Sequence, residues 1–256
     1  GGINKVVDGV KVPDLDFDPC TYDTNTGTYV YNWDPLIERF DNIVNSGVAI
    51  HQVVLDQPPW AFQHGYTFIP EGTMDGVNFR EDERVTGYGN SLPPADKAAY
   101  HAFIQALITK LVETYGEELV MSWQFRVGSE IETPDHWKGT EQDFIDHFAN
   151  TVSAVRSVLP DAKIGIHTRK PDYLYRNGTV LNYKGEVIKS FADGLIEYCH
   201  DNDVRYDFWG TSDYVIITRA KDIDMSGKYD RLFAPLVDHP KWNPDATLDI
   251  MEYKTV

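Results

Sequence analysis

The feature that most constrains this chain is an ordered alternation of helix-like and strand-like segments. A helical pattern in "YNWDPLIERFDNIVNSG" places Leu36, Ile37, Phe40 and Ile43 or Val44 on one face, with Asp34-Pro35 as cap and first-turn proline and Gly47 as the stop. The apolar run "VAIHQVVLD" then reads as a strand. Helix and strand alternate again through "PPADKAAYHAFIQALITKLVETYG", "LVMSWQFRVGSE", "TEQDFIDHFANTVSAVRSVLP", "AKIGIHTRK", "VIKSFADGLIEYCHDND" and "VRYDFWGTSDY". A last helix within "GKYDRLFAPLVDHP" precedes the strand "ATLDIMEYK". With no strong hairpin signal, this order predicts a parallel sheet covered by helices.

Two architectures satisfy that order, a barrel and a doubly wound sheet. The strands end in polar residues, Asp56, Glu130, His167, Asp213 and Glu252, as expected where a (β/α) barrel gathers a site from many loops. No G-x-G-x-x-G or G-x-x-x-x-G-K-[ST] motif supports a dinucleotide or phosphate-loop fold. The reading is a (β/α)8 TIM barrel over residues 1–256. Five strands are clear, so the barrel is expected to be incomplete in this chain. Residues 57–95 form a long rim loop, either a packed flap or a substrate-binding lid.

Composition removes several functions. A formal net charge of −17 argues against nucleic acid and anionic lipid as partners, and no apolar stretch reaches membrane-spanning length. Cys20 and Cys199 are one possible disulfide pair and have no metal-site spacing, and the "DLDFD" run at residues 14–18 lacks calcium-loop spacing and is expected to face solvent. No cofactor and no metal is expected.

The stretch "SWQFRVGSE" ends an apolar run on Glu130, and "TLDIMEY" brings Glu252 to the end of another. A single strand-end glutamate has bland alternatives, Glu130 as an N-terminal cap partner or an ion-pair partner for Arg126 and Glu252 as a rim charge beside Lys254. Two on different strands can face each other across a cleft, and glycosidic bond cleavage needs such a pair, one as proton donor and the other as nucleophile or base. Environment can hold one neutral and the other ionised.

"LVMSWQFRVGSEIETPDHW" resembles the fourth-strand motif of clan A glycoside hydrolases, especially the β-xylosidase and iduronidase family numbered 39. In that motif, W-x-F-E-V-W-N-E-P-N, the glutamate after asparagine is the acid/base, which maps onto Glu130. "TLDIMEYKT" resembles the seventh strand, whose nucleophile maps onto Glu252. The resemblance implies that strands one and two precede Gly1 and strand eight follows Val256. It departs at Ser129, where the family has asparagine, and at Arg126 and Gly128, where it has an acidic residue and an aromatic. Ser129 points to a sugar with a different hydroxyl pattern.

The expected function is therefore a retaining glycoside hydrolase acting on a poly- or oligosaccharide, extracellular or periplasmic; the alternative is a non-catalytic carbohydrate-binding barrel. Ser129, Arg126, Asp56 and Asp213 are candidate substrate contacts, Trp60, Trp137 and Tyr214 candidate faces for sugar rings. Arg126, His167 and Arg169 would suit a uronate or sulfate. Oligomeric state is not legible.

Overall fold

The structure, a computed structural model, describes the chain apart from residues 72–78, 134, 170–179, 182–186, 189, 214–224 and 254–256. It opens with two hairpins. β1 (Asn4–Val7) pairs with β2 (Val10–Pro13) so that Val7 faces Val10 and only Asp8 and Gly9 turn the chain. Both turn residues have positive φ, 50° and 81°, the geometry whose twist suits a two-residue hairpin. The expectation of no hairpin is corrected here. Asp-Gly was the signal, and it is muted because Val6, Val7 and Val10 are all exposed and do not alternate. β3 (Cys20–Asp23) and β4 (Thr28–Tyr31) form the second hairpin.

The "DLDFD" run between the hairpins is only partly solvated. Asp14 and Asp18 are buried, and Asp18 accepts the Trp60 amide at 2.6 Å. Burial pushes the Asp18 carboxyl up to about 6. Cys20 and Cys199 are both free, buried thiols, each pushed up to about 12 by burial.

α1 (Asp34–Val44) begins after Trp33 in the cap position, so Asp34 is a first-turn residue and not the cap; the Asn32 side chain accepts its amide instead. β5 (Gln52–Leu55) follows. The segment from Gln57 to Ala95 contains the two-residue strands β6 (Phe68–Ile69) and β7 (Phe79–Arg80). It is tied down by buried polar groups. Gln63 Nε2 donates to Arg84 O at 2.7 Å, and Asn90 Nδ2 donates to Pro58 O at 2.6 Å.

α2 (Lys97–Tyr115) starts where the Asp96 carboxylate accepts the Ala99 amide and stops at Gly116, φ 84°. Its buried stripe is Tyr100, Phe103, Ile104, Leu107, Ile108 and Leu111, the spacing of one helical face. A short α3 (Glu117–Met121) takes residues expected in the next strand, so β8 is confined to Gln124–Val127. α4 (Glu141–Arg156) opens with a reciprocal cap between Thr140 and Asp143. β9 (Lys163–Thr168), β10 (Val180–Leu181), β11 (Val187–Ile188), α5 (Ala192–Asp201), β12 (Phe208–Asp213), α6 (Met225–Val237) and β13 (Thr247–Tyr253) complete the order.

Five strands form one parallel sheet in the order β13-β12-β9-β8-β5. Because side chains alternate across a strand, neighbours in register share a face. Leu55, Val127, Ile166 and Trp209 are one such row, and with Phe125 and Ile164 they lie in the apolar core beneath the helices. The other face carries Gln52, Gln124, Arg126, Gly165, His167, Gly210 and Ser212. It is concave. Gln52 on β5 and Met251 on β13 belong to the two edge strands of the described sheet, yet Gln52 Nε2 comes within 3.6 Å of Met251 Sδ. Only a sheet rolled toward closure brings its edges together, so the fold is that of a (β/α) barrel, open between β5 and β13 among the described residues.

Candidate active site

The concave face ends in a polar rim at the carboxyl ends of the strands. After β8 the chain bends sharply. Gly128 has φ 77°, and a Cβ there would collide with Ile131 and press on the Phe144 ring. Glu130 has φ 44°, an uncommon left-handed conformation for a residue with a side chain. The Glu130 carbonyl accepts the Thr133 amide at 2.6 Å, and its Oε2 accepts the Thr133 hydroxyl at 3.1 Å. The bend leaves Glu130 partly exposed while Ser129 beside it is buried.

From Ser129 a line of polar side chains crosses the strand tips. Ser129 Oγ lies 3.3 Å from His167 Nδ1, and His167 Nε2 lies 2.9 Å from Ser212 Oγ. His167 is fully buried; burial, with the charges of Arg126 and His136, pushes its pKa down to about 3. It is therefore a neutral ring that donates through one nitrogen and accepts through the other. Ser212 is paired in register with Glu252, because the β12–β13 pairing slips after Thr211–Ile250. That bulge matters. Met251 already contacts the concave face through Gln52, and strict alternation would turn the next residue outward. The extra residue sets Glu252 opposite Ser212, on the concave side.

Arg126 lies within electrostatic reach of two carboxylates. Burial lowers the pKa of its guanidinium, while the charges of Asp56 and Glu252 raise it. Its Nε is buried with no hydrogen-bond partner. Burial raises the Asp56 carboxyl, whose Oδ1 accepts the Gln57 amide at 2.8 Å. Over this pair lies Tyr88 from the rim segment, stacked on His136 at 3.8 Å between ring centroids and 17° between planes. His136 Nδ1 donates to Ser129 O at 2.7 Å, which fixes the protonated nitrogen.

Glu130, Ser129, Arg126, Asp56, His167 and Glu252 thus share one rim. Trp60 and Trp137 do not. Trp60 is buried with its indole N–H donated to Ile3 O at 2.8 Å, and Trp137 is buried against Phe144 and His147 with its N–H donated to Thr140 O at 3.2 Å. Both rings are buried, and each indole N–H fastens its loop to a backbone carbonyl. Arg169 meets the rim through its backbone amide, which donates to Glu132. Asp213 ends β12 opposite Tyr253, and Tyr214 lies outside the described residues.

Tyr88, His136, Ser212 and Glu132 were not singled out from sequence. Tyr88 had one signal, its position between two glycines in "TGYGNS"; Glu132 had another, a second glutamate two places beyond Glu130. No group of three or more His, Cys, Asp or Glu side chains among the described residues is placed to hold a metal ion. No described helix is long and apolar enough to cross a membrane.

Comparison with known proteins matches residues 78–228 to the model of glycosyl hydrolases family 39. The chain belongs to that family. It is 33% identical over 244 residues to an alpha-1,4-L-rhamnosidase of Formosa agariphila, covering 95% of this chain and 46% of the relative. Over 100 residues it is 33% identical to a beta-xylosidase of Geobacillus stearothermophilus, covering 38% of this chain and 20% of the relative. This family 39 chain spans less than half the length of either curated relative. Among solved structures, a family 39 beta-xylosidase from Caulobacter crescentus superposes with a TM-score of 0.60 at 16% identity, over 93% of this chain and 44% of the other. The family 39 enzyme of Xanthomonas axonopodis pv. citri gives 0.58 at 18%, over 99% of this chain and 42% of the other. These two likenesses carry the fold, the family's (β/α)8 barrel.

Proposed function

We propose that the protein is a retaining glycoside hydrolase in which Glu130 is the general acid/base and Glu252 the nucleophile. The observation that carries this reading is the polar line Ser129–His167–Ser212, which runs from beside Glu130 to the residue paired with Glu252. Glu130 donates a proton to the departing oxygen, Glu252 attacks the anomeric carbon, and Glu130 then deprotonates the water that releases the sugar. The charge of Glu252 acts on the Arg126 guanidinium, so the two groups lie within electrostatic reach of each other.

For the sugar, the relative matched over 244 residues points to an α-linked L-rhamnosyl residue. Such a sugar is a deoxy sugar, so its neighbours along a polymer supply whatever charge the substrate has. A uronate or sulfate there would meet the basic end of β9, where Arg169 lies.

The test is hydrolysis of neutral, uronic and sulfated rhamnose-containing glycans and of xylosides by wild type, Glu130→Gln and Glu252→Gln, with folding checked and the product anomer followed by NMR. Each substitution should lower kcat by at least about 10²-fold, and the first-formed product should keep the substrate's anomeric configuration. Binding without cleavage, unchanged in both variants, would replace the enzyme by a carbohydrate-binding barrel. Inversion would remove the nucleophile role from Glu252.

A further inference from the structure

Two residues beyond Glu130 a second carboxyl group is buried, and the proposed chemistry does not use it. Glu132 is 2% exposed. Its Oε2 accepts the Arg169 amide at 2.9 Å, and its Oε1 accepts the Ser190 hydroxyl at 3.2 Å and the Phe191 amide at 3.3 Å. These donors are neutral and come from two places, the end of β9 and the residues just ahead of α5. Glu132 also lies inside the turn that the Thr133 amide closes onto the Glu130 carbonyl. Between them, the Ile131 amide donates to His167 O at 3.3 Å. The β8–β9 pairing therefore continues past the strand end, first through a backbone bond and then through a side chain.

The placement has a cost and an evident use. Burial pushes the Glu132 carboxyl up to about 7, so the fold carries a group that a neutral residue would spare it. Glu130, at φ 44°, sits in a conformation that persists only where its surroundings hold it. We propose that Glu132 is a positioning residue for Glu130, its carboxyl group fastening the turn that carries Glu130 to the end of β9 and the start of α5. The proposal rests on the acid/base reading of Glu130. A loosened turn would misplace the proton donor, and a displacement of about 1 Å can cost on the order of 10²-fold in rate.

The experiment measures kcat and KM of full-length wild type, Glu130→Ala, Glu132→Ala and Glu132→Gln on aryl glycosides of the sugar that the wild type releases. Leaving groups run from dinitrophenol, which needs no proton, to phenol, which does. Glu130→Ala should lose little on the first and much on the second. Glu132→Ala should follow the same trend in kcat with a loss on the order of 10- to 100-fold on the phenyl glycoside, and Glu132→Gln, which keeps a carbonyl oxygen for the Arg169 amide, should recover most of it. If Glu130→Ala depends on leaving group and Glu132→Ala does not, the positioning role is overturned alone. If Glu130→Ala shows no dependence, the acid/base reading fails and the proposal with it. Should Glu132→Ala not fold by circular dichroism, Ser190→Ala takes its place with a weaker loss of the same trend, and a flat profile overturns the proposal.

Discussion

His167 is bound at both nitrogens inside the rim, so its removal has a physical consequence that exposure alone would not suggest. Leucine at this position would leave the Ser129 and Ser212 hydroxyls, both buried, without their shared partner. Each buried hydroxyl stranded in this way costs about 1–3 kcal/mol. His167→Leu should therefore unfold at lower urea concentration by an amount equivalent to about 2–6 kcal/mol, read from equilibrium denaturation with an unchanged slope. His167→Gln, which can donate and accept, should lose less. The strand-end positions of Glu130 and Glu252 were readable because each closes an apolar run. The inward turn of Glu252 was not. It depends on a bulge after Thr211–Ile250, and a bulge is fixed by how two strands meet and not by either strand's own sequence. The burial of Trp60 and Trp137 was not readable either. Aromatics beside a candidate site look alike in sequence whether they line a cleft or fasten a loop, and the indole acceptors, Ile3 O and Thr140 O, are a tertiary matter for Trp60 and a local turn for Trp137.

At the scale of elements, local chemistry marks where α2 and α4 begin and where α2 ends. Asp96 and Thr140 cap α2 and α4 by accepting amides three residues on, and Gly116 ends α2 in a backbone region that favours glycine. Thr140→Ala removes the acceptor for the Asp143 amide and half of a reciprocal cap. A loss of about 1 kcal/mol is expected in chemical denaturation, and Thr140→Ser should restore most of it. Phe125, by contrast, is a sheet residue with no exposure, packed in the core under the helices. Phe125→Ala should cost about 3–5 kcal/mol, several times the cap, which is why core patterning outweighs capping in specifying the fold. The five parallel strands were legible from that patterning. The Asp8-Gly9 hairpin carried a signal in its turn residues alone, because its valines pack against little and show no alternation to confirm it.

For the whole molecule, buried titratable groups pull stability in opposite directions as pH changes. His147 and His167 are both pushed down to about 3 by burial, so the unfolded chain takes up protons below about 6.5 that the folded chain refuses. Their contribution is complete above that value and is lost as pH falls toward 3. Glu132 acts the other way. Its folded-state value is raised from 4.5 to about 7, so between those limits the folded chain keeps a proton that the unfolded chain has released. That contribution is complete below 4.5 and is lost as pH rises through 7. Glu132→Gln has no proton to keep. Whatever the variant costs through its hydrogen bonds, its stability relative to wild type should improve as pH is raised from 5 to 7, by up to about 1.4 kcal/mol per pH unit. Urea unfolding of both proteins at several pH values in this range measures the difference directly, and it cancels the titration of every group that the two share. A difference independent of pH would mean that Glu132 is ionised in the folded chain throughout. Its three neutral donors would then stabilise the charge more strongly than burial opposes it.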